Sequence, residues 1–294
     1  MKVRIGIGTG GTLDAEALVA VIDSIDDLGF DSLWLSEVLT APVPDPLVAL
    51  AFAAAHSARI KLGTTMLLPG RNPVRLAKEC ATLDALSSGR LLLTFVPGLG
   101  QEPERSAIGL STASRNAAIE EVLPLLRRLW TGEPVSHHGA YADFEAVSLS
   151  PVPHQHPLEA WLGGMSPAAL DRCGRLGDGW LPSLCTADEA ASGKKVIDEA
   201  AARAGRSISE EHFGISVGYA RGPLSERAAM TVAARSRGHD PHELVPVGWD
   251  ALRDHIRRFI EVGFSKFVVR PLAPPASWRA ELEEVAEAVI DLQT

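Results

Sequence analysis

The sequence predicts an α/β fold, a (β/α)8 barrel with an insertion between its fourth and fifth strands, on three observations. Short apolar runs alternate with longer segments of helical periodicity along the whole chain, the order of a parallel sheet built from βαβ units. Eight such strands can be drawn, the number that closes a TIM barrel. The 294 residues fit one barrel domain, 1–294, without a second domain. An open doubly wound sheet is the competing arrangement. It is disfavoured because no GxGxxG follows the first strand: the glycine run Gly6, Gly8, Gly10 and Gly11 begins inside that strand, whereas a dinucleotide fingerprint comes after its strand.

Val3 to Gly8 reads as strand one, and Thr12 or Asp14 as the cap of a helix that carries Leu18, Val21, Ile22 and Ile25 to a stop at Gly29. Asp31 to Glu37 is strand two, ending in polar residues where a barrel places its site. A proline-rich turn then leads into an alanine-rich helix, Leu47 to His56. Arg59 to Leu68 and Arg90 to Val96 flank one helix with Leu76, Ala77, Cys80, Leu83 and Leu86 on its buried side, a complete strand, helix, strand unit. Ser114 to Trp130 is helical. Residues 131–157, rich in Pro, Gly and His, read as an irregular excursion. Strands five to eight are expected at Leu158–Gly163, Gly179–Leu184, Phe213–Tyr219 and Lys266–Arg270, with helices between them and after the last.

A formal charge of −9 argues against nucleic acid or an anionic membrane surface as partner and leaves a small molecule. No stretch approaches the roughly 20 apolar residues of a membrane span, and the N-terminus lacks a secretory apolar core, so the expected location is the cytoplasm. Cys80, Cys173 and Cys185, odd in number and without CxxC spacing, read as structural thiols. His137, His138, His154 and His156 invite a metal reading. No carboxylate or Cys shares a ligand spacing with them, so no metal site is expected.

Three stretches, LGTTMLLPGRNPVRLAKECATLDALSSGRLLL, GFDSLWLSE and WLGGMSPAALDRCGRLGDGWLPS, resemble the bacterial luciferase-like monooxygenases, a barrel superfamily of flavin-dependent monooxygenases and deazaflavin-dependent oxidoreductases. The likeness spans essentially the whole chain and is nearest the members that use coenzyme F420, with FMN as the alternative cofactor. It implies a strand-three bulge with a non-prolyl cis bond at Thr65–Met66 beneath the cofactor ring, a conformation that costs about 3–4 kcal/mol. The implied cofactor-binding residues are Glu37, Thr65, Met66, Leu68, Gly98, Gly163, Gly164, Met165 and Ser166, and the likeness suggests a homodimer.

Independently of family, Gly163-Gly164-Met165-Ser166-Pro167 after a strand and before a helix suits an anion, because small residues expose backbone N–H groups at a positive helix end. Glu37 is the candidate catalytic acid or base, or else a carboxylate paired to an arginine; Arg71 has the same two readings as anion clamp or ion pair. The family pattern departs at Val38 and Leu99, which stand where some relatives carry a proton-transfer His and Glu and cannot do that work. Phe95 and Val96 replace glycines at the end of strand four. The expected function is hydride transfer between F420 and a small organic substrate. A reduced-FMN monooxygenase and a non-catalytic barrel that has lost its cofactor are the alternatives.

Overall fold

A computed structural model describes all residues 1–294. Strand β1 (Arg4–Gly8) is followed by helix α1 (Ala15–Leu28), and of the two candidate caps Asp14 does the capping, its side chain accepting from Ala17 N–H at 2.8 Å. Gly29 ends the helix at φ +81°, a left-handed conformation open to glycine. Next come β2 (Ser32–Ser36), α2 (Pro46–His56), β3 (Lys61–Leu67), α3 (Pro73–Leu86) and β4 (Leu91–Val96). Asp45 and Asn72 cap α2 and α3 with a proline at the first helical position of each, where the missing N–H costs nothing.

After β4 the chain makes a short helix α4 (Glu104–Ile108) and the long α5 (Thr112–Leu129). The excursion at 131–157 carries an antiparallel hairpin, β5 (Val135–His138) and β6 (Asp143–Val147), separate from the main sheet. Then follow β7 (Ala160–Leu162), α6 (Pro167–Leu176), α7 (Ala187–Arg203), β8 (Gly214–Tyr219), α8 (Glu226–Ala233), α9 (Pro241–Leu244), α10 (Trp249–Glu261), β9 (Lys266–Pro271) and α11 (Trp278–Val289).

Seven strands form one curled parallel sheet in the order β7-β4-β3-β2-β1-β9-β8. The expected sixth strand is not a regular one. Residues 179–183 instead make isolated parallel bridges, Leu162 to Trp180, Trp180 to Phe213 and Ser183 to Ser216, and so span the gap between the two edges. Pro182 explains the interruption, since it has no N–H to give the ladder, and Leu184 leaves the extended region at φ +52°.

The main core, 59 buried residues, lies between sheet and helices, and a separate small cluster of Trp34, Trp161, Leu181 and Val268 fills the interior of the curl. Gly6 and Gly63 make room for it: a Cβ on either would stand 3 Å or less from the Trp34 side chain. The three cysteines are free and buried, and burial pushes each thiol up to about 12. No helix is long and apolar enough to cross a membrane.

Candidate active site

Parallel strands of this kind present their ligand sites at their carboxyl ends. Glu37 follows β2 directly, its N–H bonded to Thr65 O at 2.8 Å. Its carboxylate accepts from Leu67 N–H at 2.7 Å and from Arg71 Nη2 at 2.5 Å, and the side chain is 6% exposed. Burial raises the Glu37 carboxyl above its ordinary value, against the pull of the Arg71 guanidinium and the Leu67 amide. Of the two readings of Arg71, the ion pair is the one seen, with Glu79 at 3.6 Å and Asp45 at 3.9 Å as further acidic neighbours.

The bulge and cis bond expected at Thr65–Met66 are absent. β3 pairs residue for residue with β2 as far as Thr65 and with β4 through Thr65, Met66 and Leu67, and the cis peptides are all prolyl, at Pro103, Pro151 and Pro157. The unbroken register with β4 across Thr65 to Leu67 leaves no slack for the extra residue a bulge needs. Met66 and Leu68 are 0% and 1% exposed in the core between sheet and helices, which leaves their backbone to meet a ligand. Phe95 lies in that same core, so of the two bulky residues at the end of β4 only Val96 faces the mouth.

Thr65 remains half-buried, and beside it Thr94 Oγ1 is buried without a hydrogen-bond partner. Gly98, at φ +83°, lets the loop after β4 close down on Leu67; a Cβ there would sit 2.7 Å from Leu67 Cδ2 and 2.5 Å from Ile108 Cδ1.

Two residues missed by sequence reasoning hold this loop. Arg115, 1% exposed, donates to Leu99 O at 2.7 Å, Pro97 O at 3.2 Å and Thr112 Oγ1 at 3.1 Å. Glu104, 3% exposed, accepts from Leu39 N–H, Thr40 N–H and Thr40 Oγ1 within 3.0 Å, tying the loop after β4 to the loop after β2. Arg115 had a signal: it falls in register with Ile119, Val122 and Leu126, a charge on the apolar stripe of α5.

Gly163 ends the β7 edge, and a Cβ there would stand 2.8 Å from Val96 Cγ1. Gly164 takes φ +105°, Ser166 caps α6 through its hydroxyl, and the backbone N–H groups of Gly164, Met165 and Ser166 find no acceptor in the protein. Trp180 Nε1 donates to Gly164 O at 2.9 Å, and the Trp180 side chain is fully buried. Three successive exposed amides at the start of a ten-residue helix fit a phosphate.

The four histidines of the excursion are not gathered. His137 pairs with Glu121, His138 with Asp143 and Glu145, and His154 lies against Gly89. No group of three His, Cys, Asp or Glu is placed to hold a metal ion.

A cavity of about 870 Å³ lies elsewhere, over the ends of β8 and β9 and under α8. None of the cofactor residues expected from sequence lines it; Arg270, which ends β9, does.

The family model for luciferase-like monooxygenases matches residues 2–268. The chain belongs to that family. Among curated luciferase-like relatives, the F420-dependent glucose-6-phosphate dehydrogenase of Kineococcus radiotolerans is 31% identical over 167 residues, 53% of this chain and 49% of that protein, so this match spans about half of each. The enzyme of the same name from Beutenbergia cavernae is 27% identical over 319 residues, 93% of this chain and 92% of the relative. In structure, an F420-dependent secondary alcohol dehydrogenase in complex with an F420-acetone adduct superposes with TM-score 0.83 over 100% of both chains at 18% identity. The oxygenating constituent of 3,6-diketocamphane monooxygenase from the CAM plasmid of Pseudomonas putida, in complex with FMN, gives 0.77 over 100% of this chain and 99% of that one at 20% identity. At such identities the two structures speak to the fold.

Proposed function

We propose that this luciferase-like chain is an F420-dependent oxidoreductase that passes a hydride between the deazaflavin and a small organic substrate. The observation that carries the reading is the amide cradle at Gly164, Met165 and Ser166, free of internal acceptors at the mouth of a barrel whose relatives are named for F420. These amides would hold the cofactor's phosphate arm, with Gly163 giving close approach to the backbone. Thr65, the unpartnered Thr94 hydroxyl and Val96 line the interior side beneath the ring's place. When bound, the deazaflavin supplies the hydride chemistry. The chain orients it and excludes water with the loop after β4, which Arg115 and Glu104 fix in position.

Glu37 is engaged twice over, by Arg71 and Leu67, and acts as an orienting carboxylate. Val38 and Leu99 carry no proton. Reduction of an activated double bond or imine, with solvent supplying the proton, suits such a site better than oxidation of an alcohol. A second copy is proposed to dock on the face of α2 where Val48 and Phe52 are exposed; Phe52→Asp is expected to shift the protein to monomer in sedimentation.

Equilibrium binding of F420 and FMN, each oxidised and reduced, to the purified protein tests the reading. Saturable binding of F420 is expected. Tight binding of FMN alone would install the monooxygenase reading, and binding of neither would leave a non-catalytic barrel.

A further inference from the structure

The cavity over β8 and β9 is lined by four arginines, Arg221, Arg227, Arg235 and Arg270, and one acid, Glu281. Glu281 is fully committed, accepting from Tyr219 Oη at 2.6 Å and Arg221 Nε at 2.8 Å. Arg227, Arg235 and Arg270 have no carboxylate within 4.0 Å and donate no side-chain hydrogen bond. In a chain of net charge −9, partners for them were available elsewhere in the sequence. Crowding by protein holds the Arg270 guanidinium below its ordinary value, with the charge of Arg235 adding to the effect.

The fold also keeps space around Arg270. A Cβ at Gly8 would meet its Cβ at 3.2 Å, one at Gly10 its Nη1 at 3.5 Å and one at Gly218 its Nη2 at 4.0 Å. Glycines thus flank both nitrogens and leave the donor fork uncovered, and a planar fork of this kind matches phosphate and carboxylate oxygens in pairs. The volume is that of a small-ligand site.

We propose that this cavity binds a phosphate or carboxylate group of a small molecule, held by Arg270 and Arg235. None of the cradle residues Gly163 to Ser166 lines it. The inference rests on the proposed oxidoreductase activity only for which molecule bears the anion, the substrate or the cofactor's anionic tail.

Calorimetric titration of the purified, cofactor-free protein with inorganic phosphate tests it, alongside Arg270→Gln and Arg235→Gln. Saturable binding is expected in the wild type, weakened about tenfold or more in each variant. Melting temperatures should be unchanged or raised, since neither arginine makes a bond that the fold would lose. No saturable binding in the wild type, or wild-type affinity in both variants, overturns the proposal. Repeating the titration with saturating F420 names the bearer: mutual displacement assigns the anion to the cofactor, simultaneous binding to the substrate. Phosphate binding without any F420 binding upholds the cavity and overturns the cofactor reading alone.

Discussion

Between the ends of β2 and β4 each buried charged side chain is held by at least two bonds of the fold, whereas at the ends of β8 and β9 three arginines make none. Glu37, Glu104 and Arg115 together engage eight donors or acceptors of the fold. In the first region burial is offset by internal bonds, and the cost is met when the chain folds. In the second, Arg227 and Arg235 are exposed and Arg270 is half-buried, so water satisfies their donors until a ligand takes its place. The same residue type therefore has opposite meanings on the two sides: Arg115 is a structural pin, and Arg270 is a receptor.

The sharpest way to break this contrast is to make one change on both sides. Arg115→Gln is expected to cost about 3 kcal/mol in urea unfolding, because it strips donors from the Pro97 and Leu99 carbonyls in a buried position. Gly163→Ala places a methyl 2.8 Å from Val96 Cγ1, and overpacking of that order costs about 2 kcal/mol; phosphate binding at the cradle should fall with it. Glu104→Gln removes an acceptor from the clasp between two loops, and about 1–2 kcal/mol is expected, with faster proteolysis of the loop at 97–103.

Arg71→Met acts through pH. The Glu37 carboxyl already lies above its unfolded value of 4.5, so the folded chain holds that proton more tightly. Its contribution to stability is full below 4.5 and is lost as pH rises through the folded value. Without Arg71 the folded value rises further and the loss extends to higher pH, which carbon NMR of labelled glutamate would follow directly. At the small end stands Arg270→Gln, expected to leave stability within about 0.5 kcal/mol of wild type. Equal losses for Arg115→Gln and Arg270→Gln would end the comparison.

Much of the first region was legible because its residues are close in sequence. The strand, helix, strand unit around Leu62 to Val96, the caps at Asp14 and Ser166, and the small residues at 163–164 all follow from local pattern. Gly6, Gly8 and Gly10 alternate with larger residues, the period of one strand face, and that face proves to be the bare inner wall that admits Trp34 and Arg270. The arginine cavity was not legible, since Arg227, Arg235 and Arg270 come from separate turns of the chain and meet only when α8 folds over β9. The cis bond failed for the converse reason: it was carried over from a resemblance, and the ladder through Thr65 to Leu67 is set by its pairing with β4, which residue types alone do not describe.

Trp180 gives the amide cradle a direction. In a trans peptide the carbonyl and the next N–H point opposite ways. By drawing the Gly164 carbonyl inward, the buried indole therefore turns the Met165 N–H outward. The same residue bridges β7 to β8 where the curled sheet meets itself. Joining the sheet and aiming a donor are thus one event, so a chain that loosens at this seam surrenders its grip on an anion before it has lost the rest of its shape.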